Sequence, residues 1–233
     1  MNNSEGWSGP LESGNTPTQL LARVITPGRH PRLHGYDVEA DLAPNYDILE
    51  VAFLSITGEL PEPDIALALN SVLVFTAAVS VAHAPTHAAV LSQLCGNNPS
   101  ATLGVAAIAL AEQVKHTLIE HKDLLEWLDR PTASCPEQIK TPNPDAIDSL
   151  EKLNLALRPS RLAVPGLKHA ASVEAAVLMV LHACGLRNAQ QLGALLVWAR
   201  LPAVLAEAFA ESEANFKTYP INLPHFEYEE AKQ

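Results

Sequence analysis

From Pro44 onward the sequence is a series of apolar segments with helical spacing, most of them bounded by proline or glycine. Pro61 and Pro63 precede one such segment, while Gly58 and Gly96 follow the ends of two others. Proline is favoured in the first turn of a helix and glycine just after the last turn. Because this pattern continues to about residue 214, the sequence predicts an all-α fold.

The first forty residues follow a different pattern. Residues 1–17 are polar and rich in glycine and proline, which predicts a flexible lead. Two prolines and two glycines interrupt the stretch from Val24 to Leu42, which favours a short extended hairpin over a helix.

The apolar periodicity places the individual helices. We expect helices at residues 48–57, 65–75, 85–94, 101–127, 145–157, 172–184, 189–200 and 203–214, with a proline-rich loop at 130–144. The 65–75 segment is apolar on nearly all sides, which predicts a fully buried helix. The 101–127 segment becomes polar after Val114, so its second half should leave the core.

The charge of the chain excludes several classes of partner. The formal net charge is −11 and the lysines and arginines are scattered, so neither a nucleic acid nor an anionic membrane surface is expected to bind. No uninterrupted apolar run approaches the roughly twenty residues of a membrane span. The three cysteines are widely spaced and the first residues do not resemble a signal peptide, so we expect reduced thiols and a cytoplasmic location.

Two blocks of sequence carry a resemblance to a known family. The first, from Leu33, reads L-H-G-Y-D-V-E-A-D-L-A, and the second, from Glu50, reads E-V-A-F-L-S-I-T-G-E-L-P. They resemble the R-G-Y-x-I-x-D-L-A and E-x-x-Y-L-L-L-x-G-E-L-P motifs of citrate synthases. Two blocks at this separation, followed by helices alone, are a more specific signal than either block by itself.

The resemblance is strongest to the short citryl-CoA lyase type and implies an architecture. It implies an all-α fold in which a small domain closes over a larger one, working as a homodimer. Residues 18–215 would form this helical domain, with the smaller subdomain at approximately 101–165. Residues 216–233 would form a C-terminal arm, which we expect to lie across the partner subunit because it is rich in aromatic residues and proline.

The resemblance also implies a catalytic base. The family's reaction joins or separates a CoA thioester and an oxoacid, which requires a carboxylate to move a proton at the carbon next to the thioester. Glu174, in V-E-A-A, stands in the place of the family's aspartate. It shares a helix face with apolar residues, where its carboxylate would be partly desolvated. The alternative is that Glu174 is an acidic first-turn residue that complements the helix dipole.

Three residues stand at the positions expected to bind the oxoacid. His83, in V-A-H-A-P-T, matches the family histidine just before a helix, although a capping or core histidine is the alternative. Arg200, in A-R-L-P, stands at the place of a carboxylate-binding arginine, and a planar guanidinium suits that role. His34 replaces the arginine of the R-G-Y motif.

The remaining family motifs are altered. The H-G-G-A loop that supplies a donor for the thioester oxygen corresponds to residues 111–118, where Lys115 or His116 are the candidates, but both would be surface residues if this helix continues uninterrupted. The segment that contacts CoA corresponds to residues 136–145, where Lys140 is the candidate CoA-binding residue, while Glu137, Gln138 and Asp145 stand in place of the family's histidine and arginines. His30 and His34 make a poor metal pair because proline and glycine prevent a helix there, so no metal is expected.

Two functions remain open from the sequence. The first is an enzyme, a lyase or acyltransferase, that acts on an acyl-CoA and an oxoacid other than oxaloacetate. The second is a catalytically inactive homologue that serves as a binding or regulatory subunit, in a hetero-oligomer with an active paralogue. The retained Glu174, His83 and Arg200 favour the first hypothesis, and the loss of the H-G-G-A loop favours the second.

Overall fold

The structure is a computed structural model that describes residues 21–130 and 144–211, apart from the side chains of Asp145 and Lys168. The predicted lead at 1–17, the arm at 216–233 and Lys140 lie outside these residues. The chain separates into two compact units, Met1–Leu60 and Pro61–Gln233. The predicted smaller subdomain at 101–165 is a different division, and it stays a prediction.

The first unit begins with a small antiparallel sheet of two-residue strands: β1 (Ile25–Thr26), β2 (Arg32–Leu33) and β3 (Tyr36–Asp37). His34 and Gly35 form the turn between β2 and β3 with φ angles of 48° and 89°. Two consecutive positive φ angles are what a type I′ hairpin turn requires. The expected hairpin is therefore present, and a third strand extends it.

A short helical region completes the first unit. It comprises a π-helical turn at Val38–Leu42, α1 (Ala43–Asn45) and α2 (Ile48–Thr57). Asp47 and Glu50 form a capping box at the start of α2, and Gly58 ends the helix with a φ of 85°. The capping box satisfies backbone N–H groups that the first turn leaves without partners. Leu33, Leu42 and Leu54 form a buried hydrophobic cluster in this unit.

The second unit is helical. It contains α3 (Pro63–Thr76), α4 (Ala84–Leu94), α5 (Pro99–Glu120), α6 (Lys122–Asp129), α7 (Ile147–Leu157), α8 (Val173–Ala183) and α9 (Ala189–Ala210), with 3₁₀ turns at Pro144–Ala146, Arg158–Ser160 and Leu167–His169. Helices α4, α5 and α9 pack against one another, α3 packs on α7, α8 and α9, and α6 packs on α8. The predicted all-α class is confirmed.

The core of the second unit holds its central helices in place. Small and branched side chains from α4, α5 and α9 form one buried cluster: Ala89, Val90, Ala106, Leu110, Val204 and Ala208. In α8 every residue from Ala175 to His182 is buried. A helix that is apolar on all sides is typical of the centre of a bundle. The first turn of α8 is therefore held firmly by the turns that follow it.

The segment predicted as one helix at 101–127 is divided. α5 ends at Glu120, and His121 separates it from α6 with a φ of −103° and a ψ of 18°. The prediction that the half of this segment after Val114 leaves the core is wrong, because Leu118 is 8% exposed and Leu124 is fully buried. After the break α6 packs on α8, and Leu124 is the buried residue of α6.

The helix at 65–75 was expected to be buried on all sides, and this is also wrong. Ala68, Leu69, Val72 and Leu73 form a buried stripe on α3. Leu67 and Val74, seven residues apart on the opposite face, are 46% and 67% exposed. One face of an apolar helix is enough to anchor it when its neighbours lie on one side.

The last two predicted helices are one continuous helix. α9 runs for 22 residues through Pro202, whereas the sequence predicted separate helices at 189–200 and 203–214. Within the described residues, α9 is also the one helix long and apolar enough to cross a membrane by length and composition. Its buried residues are Leu192, Leu195, Leu196, Val204 and Ala208, and 28% of its most apolar 18-residue window is buried in the bundle.

Pro202 gives a test of how strongly packing holds α9. A proline inside a helix removes one backbone hydrogen bond and costs about 3 kcal/mol relative to alanine. We expect Pro202→Ala to raise the free energy of unfolding by about 1–3 kcal/mol, measured by urea denaturation. Pro63→Ala is the matched control, because Pro63 lies in the first turn of α3 where proline is tolerated. Equal effects of the two substitutions would contradict the prediction.

Candidate functional site

One cavity of the second unit brings together three of the residues predicted to act on substrate. It has a volume of about 220 Å³ and contains Glu174, His83 and Arg200 in its wall. The other residues around it are Phe75, Thr76, Ala78, Val79, Gln113, Thr117, Val173 and Val177. We call this space the Glu174 cavity. These three side chains come from α8, from the start of α4 and from α9, so only the tertiary packing of those helices makes them neighbours.

Glu174 lies in the first turn of α8. Ser172 caps this helix, with its Oγ accepting a hydrogen bond from the backbone N–H of Ala175 at 3.1 Å. A carboxylate in this turn interacts favourably with the positive end of the helix dipole. The residue is exposed, so the partial desolvation expected from its apolar neighbours is not found. Glu174 therefore combines the predicted position at the cavity with access to solvent.

His83 occupies the N-cap position of α4, but its side chain makes no capping hydrogen bond. The turn that carries it is held instead by Thr86, which is fully buried and whose hydroxyl donates to the carbonyl of Val79 at 2.8 Å. His83 is exposed at the cavity, and its imidazole is not used to cap the helix. Its position suits a group that contacts a ligand.

Arg200 belongs to α9 and forms part of the wall of the same cavity. Burial lowers the pKa of the Arg200 guanidinium, and the negative charge of Glu174 acts in the opposite direction. Its Nε is buried without a hydrogen-bond partner. A buried N–H without a partner is costly, so an incoming carboxylate that accepts from it would be bound favourably.

Two further residues of the cavity were missed by the sequence argument. Gln113 and Thr117 lie one turn apart on α5, and the Oε1 of Gln113 is also buried without a partner. The Thr117 hydroxyl donates to the backbone carbonyl of Gln113 at 3.2 Å. A side-chain amide carries both a donor and an acceptor and rotates to present either to a ligand. The sequence signal that could have indicated them is the helical repeat. It places Gln113, one position before the buried Val114, and Thr117, three positions after it, beside the buried face of α5.

Lys115 and His116, the predicted donors for the thioester oxygen, lie elsewhere on α5. The Lys115 Nζ is 3.1 Å from Glu112 Oε2, and the His116 Nδ1 is 3.5 Å from Glu120 Oε1. Both side chains are exposed and neither lines the Glu174 cavity. Their role as donors stays a prediction that this placement does not support, and Gln113 is the better placed group.

The other predicted site residues are not part of this cavity. His34 belongs to the first unit, where its Nε2 lies 3.3 Å from the carbonyl oxygen of Ser55. Lys140 lies outside the described residues. Among the described residues there is no group of three or more His, Cys, Asp or Glu side chains arranged to hold a metal ion.

A second polar cluster ties α6 to α8. His182 Nε2 lies 2.9 Å from Asp129 Oδ1, and the Arg187 guanidinium lies 3.1 Å from the same histidine nitrogen. The hydrogen bond from His182 is the main cause that holds the pKa of Asp129 below its usual value. Since α8 carries Glu174 eight residues earlier, this cluster helps to fix the helix that presents the carboxylate.

Comparisons with known proteins agree with the fold. No protein-family model and no curated protein sequence matches this chain. Among solved structures, the citryl-CoA lyase from Hydrogenobacter thermophilus superposes with a TM-score of 0.64 at 16% sequence identity, covering 92% of this chain and 96% of that one. The chain has the fold of a citryl-CoA lyase. The resemblance drawn from the two sequence motifs is thus confirmed for the fold.

Proposed function

We propose that the protein makes or cleaves a carbon–carbon bond between an acyl-CoA thioester and an oxoacid, as a citryl-CoA lyase-like enzyme. The observation that carries this proposal is the Glu174 cavity, where a carboxylate, an imidazole and a guanidinium from three helices meet. The shared fold with a citryl-CoA lyase supports the same chemistry. Fold alone does not fix function, so the argument depends on the groups in the cavity.

The residues of the cavity suit the individual steps. In the direction of condensation, Glu174 takes a proton from the carbon next to the thioester, and the electron pair left there forms the bond to the oxoacid carbonyl carbon. The carbonyl oxygen gains a proton and becomes a hydroxyl group, for which His83 is the proposed donor. Cleavage is the reverse of these steps. The Gln113 amide is proposed to donate to the thioester oxygen while charge develops on it.

The acid is proposed to be smaller or less charged than oxaloacetate. Among the residues that the structure describes, Arg200 is the one arginine or lysine in the wall of the cavity, and a guanidinium binds one carboxylate with two charge-assisted hydrogen bonds. His83 is left to contact the carbonyl end of the same molecule. A monocarboxylic oxoacid satisfies this arrangement without leaving a second carboxylate buried and unpaired.

The direct test is to mix the protein with citryl-CoA, or with acetyl-CoA and a panel of oxoacids, and to follow the acyl-CoA species by liquid chromatography and mass spectrometry. This readout is needed because making or cleaving the carbon–carbon bond leaves the thioester intact and releases no free thiol. Conversion of citryl-CoA to acetyl-CoA, or a new acyl-CoA formed with one acid of the panel, supports the proposal. No change in any acyl-CoA would count against it.

The alternative is a catalytically inactive subunit that pairs with an active paralogue. The observation that favours it is the position of Lys115 and His116, which are exposed and turned away from the cavity where the family-type donor is needed. A protein that retains the proposed site is stabilised by CoA thioesters through mass action, so its melting temperature rises with ligand concentration. An unchanged melting temperature with CoA and acetyl-CoA would favour the inactive subunit.

A homodimer is proposed as the working form. Helices α4 and α5 leave large apolar side chains in contact with solvent, since Leu91, Leu103 and Ile108 are 43%, 42% and 69% exposed. A second copy of the chain would remove this apolar area from water. We expect Ile108→Asp to shift the mass measured by light scattering from dimer to monomer. Ile147→Asp, at a residue on α7 that is 46% exposed, is the control that should leave the mass unchanged.

A further inference from the structure

A second cavity of the helical unit is lined by residues of α5 that do not line the Glu174 cavity. It has a volume of about 420 Å³, and its wall includes Leu118 and Ile119 of α5, Leu125 of α6, and Gly193 and Val197 of α9. Apart from two lysines and a glutamine, the described residues around it carry no polar side-chain atom. We call this space the α5–α9 groove.

The groove combines an apolar wall in contact with solvent and two amines. Ile119 is 65% exposed although it lines a concave surface, so an apolar occupant would remove it from water. Lys115 and Lys122 also line the groove, with side chains 63% and 71% exposed. Their ion pairs with Glu112 and Glu126 are exposed pairs within one helix, which contribute little and exchange readily. The groove therefore suits an apolar segment that also carries carboxylates.

The end of this chain has that composition. Residues 212–233, which lie outside the described residues, read Y-P-I-N-L-P from Tyr219 and E-Y-E-E from Glu227. Two prolines in the first run disfavour a helix, and in an extended chain every second side chain points to the same side. Tyr219, Ile221 and Leu223 would then form one apolar face, followed by three glutamates.

The length of the segment allows it to reach the groove of its own chain. α9 supplies one wall of the groove and also ends at Ala210, directly before the segment. Going back along α9 from Ala210 to Val197 covers about 20 Å, at about 1.5 Å per residue. An extended chain from Glu211 to Leu223 spans up to about 40 Å. A tether this short gives an effective concentration in the millimolar range, which favours the groove of the same chain over that of a second copy.

We propose that residues 212–233 fold back along α9 and dock in the α5–α9 groove of their own chain. The apolar side chains of residues 219–223 contact Ile119 and Leu125, and the glutamates of residues 227–230 pair with Lys115 and Lys122. This differs from the expectation that residues 216–233 lie across a partner subunit. It also gives Lys115 a role outside the Glu174 cavity.

The position of the segment is tested by carbodiimide cross-linking of the full chain, which joins a lysine to a contacting carboxylate, followed by mass spectrometry of the peptides. We expect Lys115 or Lys122 to be joined to one of the three glutamates in a product with the mass of one chain. Lys152 is the matched control, because its side chain is 67% exposed and lies outside the groove. Equal linkage of the segment to Lys152 would contradict the proposal. So would the expected link in a product with the mass of two chains, which would assign the groove to a partner's segment.

A double-mutant cycle in the full chain tests the apolar contact. Ile119→Ser in the groove and the pair Ile221→Ser and Leu223→Ser in the segment should each lower the melting temperature by about 2–4 °C. Combined, they should lower it no further than the larger of the two effects, because either change already undocks the segment. Leu155→Ser is the control, at a residue of α7 that is 57% exposed and lies outside the groove, and its effect should add to that of the segment variant.

Two results of the cycle would overturn the proposal: an unchanged melting temperature in the segment variant, or effects of Ile119→Ser and the segment variant that simply add. Neither the cross-linking nor the cycle uses a substrate, so both results are independent of the proposed function.

Discussion

Replacing Glu174 by glutamine is expected to lower turnover by a factor of about 10²–10⁴, the range that a positioned general base contributes. The amide keeps the size of the side chain but cannot take a proton from carbon. The melting temperature should move little, because a carboxylate in the first turn of a helix contributes at most about 1 kcal/mol through the dipole. Turnover is measured as conversion of the acyl-CoA substrate, followed by mass spectrometry, and stability as the thermal midpoint of the same preparation.

Two further variants make the result specific. Glu207→Gln applies the same change to an exposed glutamate of α9 that does not line the Glu174 cavity, so turnover should be unaffected. Glu174→Asp keeps the charge on a shorter arm, and we expect more activity from it than from glutamine. If Glu174→Gln and Glu207→Gln have equal activity, Glu174 is the acidic first-turn residue of the alternative interpretation and not a base.

Replacing Arg200 by methionine is expected to weaken binding of the oxoacid by about 10²-fold, since two charge-assisted hydrogen bonds to a carboxylate contribute about 3 kcal/mol together. The effect should appear as a higher KM for the acid, with the KM for the CoA thioester little changed. Arg200→Lys keeps the charge but loses the planar fork, so an intermediate KM is expected.

The free energy of unfolding, in contrast to substrate binding, should not fall in Arg200→Met. Arg200 has a buried Nε without a hydrogen-bond partner, so methionine of similar length removes an unsatisfied polar group from the protein. We expect the free energy of unfolding to stay the same or to rise. Arg29→Met, at an exposed residue of the first unit, controls for the change in net charge. A large loss of stability in Arg200→Met would mean that the arginine supports the helix bundle and does not await a ligand.

Much of the fold could be predicted because its signals are local. The capping residues Asp47 and Ser172 and the terminating Gly58 act on backbone groups within one turn of themselves, so they mark helix ends in the sequence as in the structure. The motif blocks at 33–43 and 50–61 predicted the citryl-CoA lyase fold at a level of similarity where no family model matches. The same sequence argument named Glu174, His83 and Arg200, which the structure places around one cavity.

What the sequence left undecided depends on partners that are distant along the chain. Whether Gln113 or His116 faces the cavity depends on which side of α5 packs against the neighbouring helices. The sequence of α5 alone does not determine that side. The same is true of α9, where burial of residues such as Leu196 and Val204 on both sides of Pro202 offsets the local cost of the proline and keeps one helix where the sequence alone predicts two. Local interactions determined where the helices lie in the chain, and only the packing between them decided which of their side chains meet.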